Sequence, residues 1–184
     1  MRSIALFTLF GVKTTVSPLG LLSFLVSIPV LGWIAARQFF FNFGEAWLAG
    51  LLTALMMLAS EWLHQMSHAR AAHDAGHPMI GIHFLPLFCF SACLYPKDEP
   101  ALPPRIHVQR ALGGFWVSLL IGLLLAPLAF FLWIEGSLRG WVLGAAAFWN
   151  VFVLGLGALL PIDIPGVFTT DGGTLWRLWR EQNH

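Results

Sequence analysis

The chain has 184 residues, of which 58% are hydrophobic and 10% are charged, whereas ordinary soluble domains carry about 25% charged residues. So few charges cannot cover the surface of a soluble protein of this size, and the composition therefore excludes that class. The formal net charge of +1 offers no surface for a polyanion, so nucleic acid is not an expected partner.

Hydropathy predicts an all-α, polytopic membrane protein with a single membrane-embedded domain over residues 1–184. Four apolar stretches are long enough to cross about 30 Å of hydrocarbon as helices. In chain order, these predicted spans are Leu19–Ala36, Ala46–Ala72, Ala111–Ile134 and Leu138–Leu160.

The segment between the second and third spans is less regular. Ile80–Tyr95 is apolar, but it is short and contains Pro86, which favours a re-entrant or partly inserted segment over a full span. Cys89 and Cys93 lie four residues apart in it, a spacing that suits packing on one helix face, with a metal or redox pair as the alternative. The proline-rich and charged stretch Lys97–Arg110 predicts a surface loop.

The distribution of lysine and arginine predicts the orientation. With the N-terminus in the cytoplasm and four spans, eight basic residues fall inside, and Arg37 and Arg139 fall outside. This bias follows the positive-inside rule and predicts that both termini are cytoplasmic.

Polar residues are concentrated at the inner end of the second span. On a helix, His64 and His68 lie one turn apart and project from one face, which is the geometry that two imidazoles need to bind one zinc ion. Glu61 lies on the same side, one turn deeper in the membrane. A charge near the centre of a span costs about 2.5–3.5 kcal/mol on insertion scales and usually marks function. We therefore predict a polar site here, although the pair alone does not identify the metal.

A third ligand is available after the fourth span. That span ends in Leu159-Leu160-Pro161, and Asp171-Gly172-Gly173 follows ten residues later. Because the second and fourth spans end on the same side, Asp171 can return toward the histidines, and the glycines permit close backbone approach. A plain turn is the alternative interpretation of Asp-Gly-Gly.

Together these segments resemble the site-2 proteases, which are polytopic intramembrane zinc metalloproteases. His64–Ala72, followed by Gly76–Met79, is similar to the family's HExxHAxxA helix and its exit turn. Ala111–Gly114 is similar to its Ala-x-Ala-Gly-Pro segment, and Leu159–Pro161 with Thr170–Gly172 to its Leu-Pro…Asp-Gly element. Gly11–Pro18 resembles the family's short extended lead-in to the first span. The matching segments are spread over most of the chain.

The resemblance implies that His64, His68 and Asp171 are zinc ligands and that water takes the fourth position. It implies zinc-assisted hydrolysis of a peptide bond within the bilayer. The expected partners are a single-span membrane protein, as substrate or client helix, and the lipid bilayer. We expect an integral, multi-pass protein of a bacterial plasma membrane.

Three residues depart from the family pattern. Gln65 occupies the position of the catalytic glutamate, the general base, and a glutamine cannot accept a proton at neutral pH. Losing a general base typically slows a reaction roughly 10²–10⁴-fold. Ala158 stands where many members have an asparagine, with Asn150 as the nearest alternative, and Phe115 replaces a proline. We therefore predict an inactive or impaired protease that still binds zinc.

Three explanations for Gln65 remain open. It can be natural, in a non-enzymatic pseudoprotease that binds membrane helices, or it can be an engineered substitution that traps substrate. In the third explanation, Glu61 acts as the base. A di-iron membrane hydroxylase is a rival interpretation of the histidines, although the chain lacks a His-His pair.

Two further groups of residues receive simpler interpretations. His73 and His77, near Asp74, are expected to form a solvated surface cluster. The tail contains two tryptophans and two arginines in a pattern typical of a short amphipathic helix on the inner leaflet; these are Trp176, Arg177, Trp179 and Arg180.

Overall fold

Four long apolar helical segments form the body of the protein, as predicted. The structure is a computed structural model that describes residues 3–87, 89–164 and 168–183. The first three segments are α1 (Pro18–Phe39), α2 (Phe43–Asp74) and α3 (Pro104–Ile134). The fourth begins as α4 (Leu138–Phe148), continues as a π-helix over Trp149–Gly155 and ends as a 3₁₀ turn over Leu156–Leu159. Each of the four is long and apolar enough to cross a membrane, so the chain is an integral membrane protein.

Local sequence signals set the helix starts. Ser17 caps α1 and accepts a hydrogen bond from the Gly20 amide, and Asn42 and Glu45 form a reciprocal capping box at the start of α2. Pro104 begins α3, where proline is favoured because its missing N–H would be unpaired at that position. The predicted loop Lys97–Arg110 is therefore shorter than expected, since its second half is the start of α3.

The helices differ in length, and this difference creates room for a site. At 1.5 Å per residue, α2 and α3 are about 48 and 46 Å long, whereas α1 is about 33 Å long. The turns before α2 and after α3 lie at the same end, because the Phe39 and Trp133 rings pack 4.7 Å apart. At the other end, α2 and α3 therefore extend beyond α1.

A four-stranded sheet fills the space beside the extended end of α2. Its strands are β1 (Ile4–Leu9), β2 (Val12–Val16), β3 (Gly81–Phe84) and β4 (Ser91–Leu94). They lie in the order β1-β2-β3-β4, and only the β2–β3 pairing is parallel. Apolar residues of β2 and β3 pack against Ala69 and Ala72 of α2. This sheet is not predicted from the sequence, although β2 agrees with the expected extended lead-in.

The predicted re-entrant segment Ile80–Tyr95 contains the β3–β4 hairpin, and its depth in a bilayer stays a prediction. The expectation that Cys89 and Cys93 share a helix face is wrong. Cys89 lies in the turn with a φ of 53°, and Cys93 lies on β4. Four apolar residues between turns can form a strand as readily as a helix, so their period does not distinguish the two.

The last helix follows a short two-stranded ribbon. Strands β5 (Asp163–Ile164) and β6 (Phe168–Thr169) pair antiparallel, and residues 165–167 lie outside the described part of the chain. Helix α5 spans Asp171–Gln182 and is capped by the Thr170 side chain, which accepts from the Gly173 amide. This cap fixes Asp171 as the first residue of the helix.

Candidate metal centre

The three predicted zinc ligands converge at the extended end of α2. The Nε2 atoms of His64 and His68 are 3.0 Å apart. Asp171 Oδ2 lies 3.8 Å from His64 Nε2 and 3.5 Å from His68 Nε2. In the part of the chain that the structure describes, this is the one cluster of three histidine, cysteine or acidic side chains close enough to share a metal ion.

The spacing of these atoms suits zinc. Ligand bonds of 2.0–2.2 Å in a tetrahedron place neighbouring ligand atoms about 3.4 Å apart, and the three separations, 3.0, 3.5 and 3.8 Å, bracket that value. Two imidazoles and a carboxylate also leave one tetrahedral position free, as in catalytic zinc sites. The residues therefore fit the metal that the resemblance implies.

Both histidine rings are held by hydrogen bonds at Nδ1, the ring nitrogen that does not take part in the ligand cluster. His68 Nδ1 donates to the Arg110 carbonyl at 2.6 Å, and His64 Nδ1 shares a 2.9 Å hydrogen bond with Ser118 Oγ. With the proton on Nδ1, the His68 Nε2 lone pair faces Asp171 and is free to bind a metal. Such outer partners are what orient metal-binding histidines.

Glycines allow the three chain segments to approach one another. A side chain on Gly114 of α3 would overlap the rings of His64 and His68. Side chains on Gly172 and Gly173 would overlap the backbone of Leu159 and Ile162. The Asp-Gly-Gly sequence thus docks the start of α5 against the end of the fourth span, as the close-approach interpretation predicts.

Asp171 is an unusual carboxylate. It lies outside the four spans, and burial raises its pKa to about 7. Among the described residues, its Oδ2 atom has no hydrogen-bond partner, and a buried carboxylate without one is costly. A cation beside the histidines would compensate it, and binding would displace the proton.

Gln65 belongs to a buried polar network. Its Nε2 donates to Glu61 Oε1 at 3.2 Å and to the Ser91 carbonyl at 3.4 Å, and its Oε1 accepts from Cys93 Sγ at 2.8 Å. Glu61 Oε1 also accepts from the Ser91 amide at 2.9 Å and hydroxyl at 2.5 Å. The network therefore uses the amide of Gln65 as both donor and acceptor.

Arg110 organises the loop side of the site. Its guanidinium donates two hydrogen bonds to the Glu99 carboxylate, at 2.9 and 2.5 Å, and one to the His77 carbonyl at 2.6 Å. It also lies 4.0 Å from the centre of the Tyr95 ring. These bonds lower the pKa of Glu99 below its ordinary value, and they secure the residue whose carbonyl holds His68.

A cavity of about 680 Å³ opens onto the site. Its polar wall includes the three candidate ligands with Glu61 and Gln65, and its apolar wall is formed by β4 and by the end of the fourth span. The apolar lining residues include Phe90, Phe152, Val153, Leu154 and Leu160.

Ala158 and Asn150, the two fourth-span residues compared with the asparagine of the site-2 proteases, lie in different environments. Ala158 lines the cavity, so it presents no amide there. Asn150 is fully buried and donates to Ser60 Oγ at 2.7 Å and to the Ala146 carbonyl at 2.9 Å. Asn150 therefore tightens the packing of the fourth span on α2 and does not replace the missing asparagine at the cavity.

The other singled-out histidines lie apart from the metal cluster. His73 is exposed and lies 3.5 Å from Asp74, as expected for a solvated pair. His77 instead faces the Glu99 carboxylate at 4.0 Å, so the two histidines do not form one cluster. Neither supplies further ligands of the kind that a di-iron centre needs.

Ser118, Arg110 and Glu99 were not identified from the sequence. Ser118 lies in an apolar helix without a motif, and Arg110 and Glu99 fall in the stretch that the sequence predicts to be a surface loop. The preference of metal-binding histidines for a second hydrogen bond predicts that such partners exist, but sequence spacing does not identify them.

Comparison with known proteins gives a fold and no sequence family. No family model matches the chain, and no curated protein matches its sequence. The structure is similar to that of the site-2 protease from Methanocaldococcus jannaschii, with a TM-score of 0.66 and 22% sequence identity. The match covers 100% of this chain and 74% of the other. The chain therefore has a site-2-protease-like fold, mostly helical and membrane-spanning.

Proposed function

We propose that the chain binds one zinc ion in a site of the site-2 protease type and receives a membrane-spanning segment of another protein beside it. In this proposal its peptide hydrolysis is impaired, because Gln65 stands at the position of the general base. The observation that carries the proposal is the triangle of His64 Nε2, His68 Nε2 and Asp171 Oδ2, with both rings anchored through Nδ1.

The candidate ligands, their hydrogen-bond partners and Gln65 have different roles in this proposal. His64, His68 and Asp171 would hold zinc, which, when bound, would polarise a peptide carbonyl and make water nucleophilic near neutral pH. Ser118 and the Arg110 carbonyl keep the two rings in place. Gln65 can orient a water molecule by hydrogen bonding, but it cannot accept a proton from it or pass one to a leaving amine.

The cavity supports a peptide of membrane origin as the ligand. Its apolar wall suits the side chains of a membrane-spanning segment. β4 is an edge strand of the sheet and lines the same cavity. An extended segment can add to such an edge through backbone hydrogen bonds, which would bring a peptide carbonyl near the ligand triangle.

The network around Gln65 favours a second candidate, a pseudoprotease that binds membrane helices without cutting them. Gln65 Nε2 donates to the Glu61 carboxylate at 3.2 Å. A glutamate at position 65 would place a second carboxylate there, and two such groups at this distance do not both ionise. An amide at position 65 and a carboxylate at position 61 therefore match each other.

Zinc content tests the site. The purified chain is expected to bind about one zinc ion, because its ligand set matches a catalytic zinc site. His64→Ala and Asp171→Ala should each release the metal, whereas the matched control His73→Ala alters an exposed ring and should retain it. A metal-free chain in zinc-replete buffer, or equal zinc retention by all variants, would refute the assignment.

Cleavage of a single-span substrate in proteoliposomes tests the role of Gln65. The unaltered chain should cut roughly 10²–10⁴-fold more slowly than a chain with a working base. Gln65→Glu alone creates the carboxylate pair with Glu61, so the informative variant is the exchange Glu61→Gln with Gln65→Glu, which keeps one amide and one carboxylate. We expect the exchanged chain to cut fastest.

The other outcomes separate the alternatives. Robust cutting by the unaltered chain that disappears in Glu61→Ala would identify Glu61 as the base. Robust cutting that survives Glu61→Ala would refute the impaired-protease proposal. An exchanged chain that binds zinc and substrate without cutting would support the pseudoprotease.

A further inference from the structure

Helix α5 has two different faces. Thr174 lines the cavity, whereas the Trp176 and Trp179 side chains remain 46% and 55% exposed. Their rings stack on each other with centroids 5.0 Å apart. At 3.6 residues per turn, Thr174 lies about 170° around the helix from the midpoint of the two tryptophans. The tryptophan pair therefore points away from the cavity.

The residues around the pair have the composition of a membrane-surface helix. The Arg180 guanidinium lies 5.7 Å from the centre of the Trp176 ring, and Glu181 lies opposite the tryptophans, on the same side as Thr174. Tryptophan is enriched at the boundary between headgroups and acyl chains. Amphipathic helices with tryptophan on one face and arginine beside it lie in that boundary.

The packing of the spans places α5 near this boundary. Gly32 of α1 faces Ala46, and Gly50 of α2 faces Ile28. Because the two helices run antiparallel, these contacts place the first residue of α1, Pro18, at about the level of Ser60 in α2. The apolar part of α1 therefore ends one to two turns before the level of His64 and His68. Asp171 contacts those histidines, which puts the start of α5 just beyond the end of the α1 span.

The geometry points to α5 as an interfacial helix that binds the surface of the bilayer in which the four spans sit. Trp176 and Trp179 occupy the boundary between headgroups and acyl chains, and Arg180 contacts lipid phosphates. The opposite face remains a wall of the cavity. This docking does not require zinc, but it restrains the helix whose first residue is Asp171.

A spin-label scan of the full chain in phospholipid vesicles tests the docking. Single cysteines are introduced from Leu175 to Gln182 in a Cys89→Ala, Cys93→Ser background, which keeps a donor beside Gln65. Collision rates with oxygen and with a water-soluble nickel chelate give the depth of each label. Labels at Leu124, a lipid-facing site on α3, and at Asp98, an exposed loop site, calibrate the scale.

The expected profile repeats with the helical period. Labels at 176 and 179 should collide several-fold more with oxygen than with nickel, and the label at 181 should show the reverse. A profile with high nickel collision at all eight positions would overturn the proposal. Dipolar broadening at 176 and 179, with shielding from both reagents, would show that a second copy of the chain covers the face, which also overturns it.

A reporter away from the tryptophans guards against effects of labelling them directly. With the label at Gln182, the double change Trp176→Ser and Trp179→Ser should raise nickel collision toward the value at Asp98. The matched control Trp116→Ser removes an exposed tryptophan from α3 and should leave the reporter unchanged. Equal behaviour of the two variants would contradict a specific role for the pair.

Discussion

The two ends of the helix bundle are held together by different kinds of contact. In the turn half, where α1 meets α2 and α3 meets α4, backbones touch at glycines; side chains on Gly32, Gly50 and Gly140 would overlap the backbone of the facing chain segment. In the site half, Gly114 also permits close approach, but hydrogen bonds between buried groups are added to it. His64 Nδ1 bonds to the Ser118 hydroxyl, and His68 Nδ1 donates to the Arg110 carbonyl.

The difference follows from what each half must do in lipid. Lipid tails are as apolar as leucine, so helices associate through close packing at small residues rather than by burial of apolar surface. The site half contains ionisable groups, each of which needs a partner inside the protein. Substitutions at the close contacts of the turn half should therefore reduce folding, whereas substitutions next to the two histidine rings should reduce metal binding with little change in the fold.

The largest effect is expected for Gly50→Leu in the turn half. A side chain here would overlap the Ile28 carbonyl, and rigid backbone cannot yield, so we expect destabilisation of about 3 kcal/mol, the upper end of the usual cost of overpacking. Leu55→Ala, an exposed position on the same helix, is the control and should fold normally. Size exclusion in detergent measures the folded fraction, and thermal unfolding measures stability. An unchanged melting temperature for Gly50→Leu would contradict the close α1–α2 contact at this position.

The second prediction contrasts two glycines on α3. In Gly114→Ala, the added methyl meets the rings of His64 and His68, which can rotate, so the fold should persist while zinc affinity falls about 10–100-fold or more. In Gly122→Ala, it meets Val151 and the Ala147 backbone, so stability should fall while zinc affinity persists. Zinc competition and thermal unfolding measured on both variants check this, and a swap of the two outcomes would contradict the division.

The features of the fold and site that the sequence predicts are those that depend on local patterns. The four spans were predictable because hydropathy is a local property. His64 and His68 were predictable because a spacing of four residues places them on one helix face. Asp171 is more than 100 residues from them; the shared side of the second and fourth spans made it a candidate, but only the family resemblance favoured a ligand over a plain turn. The sheet was missed because short apolar strands have no distinctive period.

The partners of the histidines were also beyond sequence analysis. Ser118 is 54 residues from His64, and Arg110 is 42 residues from His68. Neither has a local pattern that distinguishes it from a packing serine or a loop arginine. Their roles depend on how α2 and α3 pack, which is a tertiary property.

The third prediction tests one of these partners. Ser118→Ala removes the hydrogen bond to His64 Nδ1 without adding volume, so zinc affinity should fall about 10–100-fold with little change in folding. Ser67→Ala, which removes an exposed hydroxyl bonded within α2, is the matched control. Equal zinc affinities of the two variants would mean that the ring of His64 is held by packing alone.

The smallest effect is expected for Glu99→Gln at the loop side of the site. The change removes the carboxylate that accepts two hydrogen bonds from Arg110, so we expect a loss of about 1–3 kcal/mol in unfolding free energy at neutral pH. The pKa of Glu99 is lowered in the folded chain, so the paired carboxylate stabilises the fold above its unfolded pKa of about 4.5.

This stabilisation should disappear as the pH falls through the lowered pKa of Glu99, because the carboxyl then takes up a proton and no longer differs in charge from glutamine. Thermal unfolding of both chains from pH 7 to pH 3 should show two curves that converge at the acid end. The control Asp74→Asn removes an exposed pair with Arg70, and such pairs contribute little. The prediction would be contradicted if the stability difference between Glu99→Gln and the unaltered chain did not change with pH, or if Asp74→Asn caused an equal loss. The loss would then come from packing, and the buried Arg110 would not depend on the charge of Glu99.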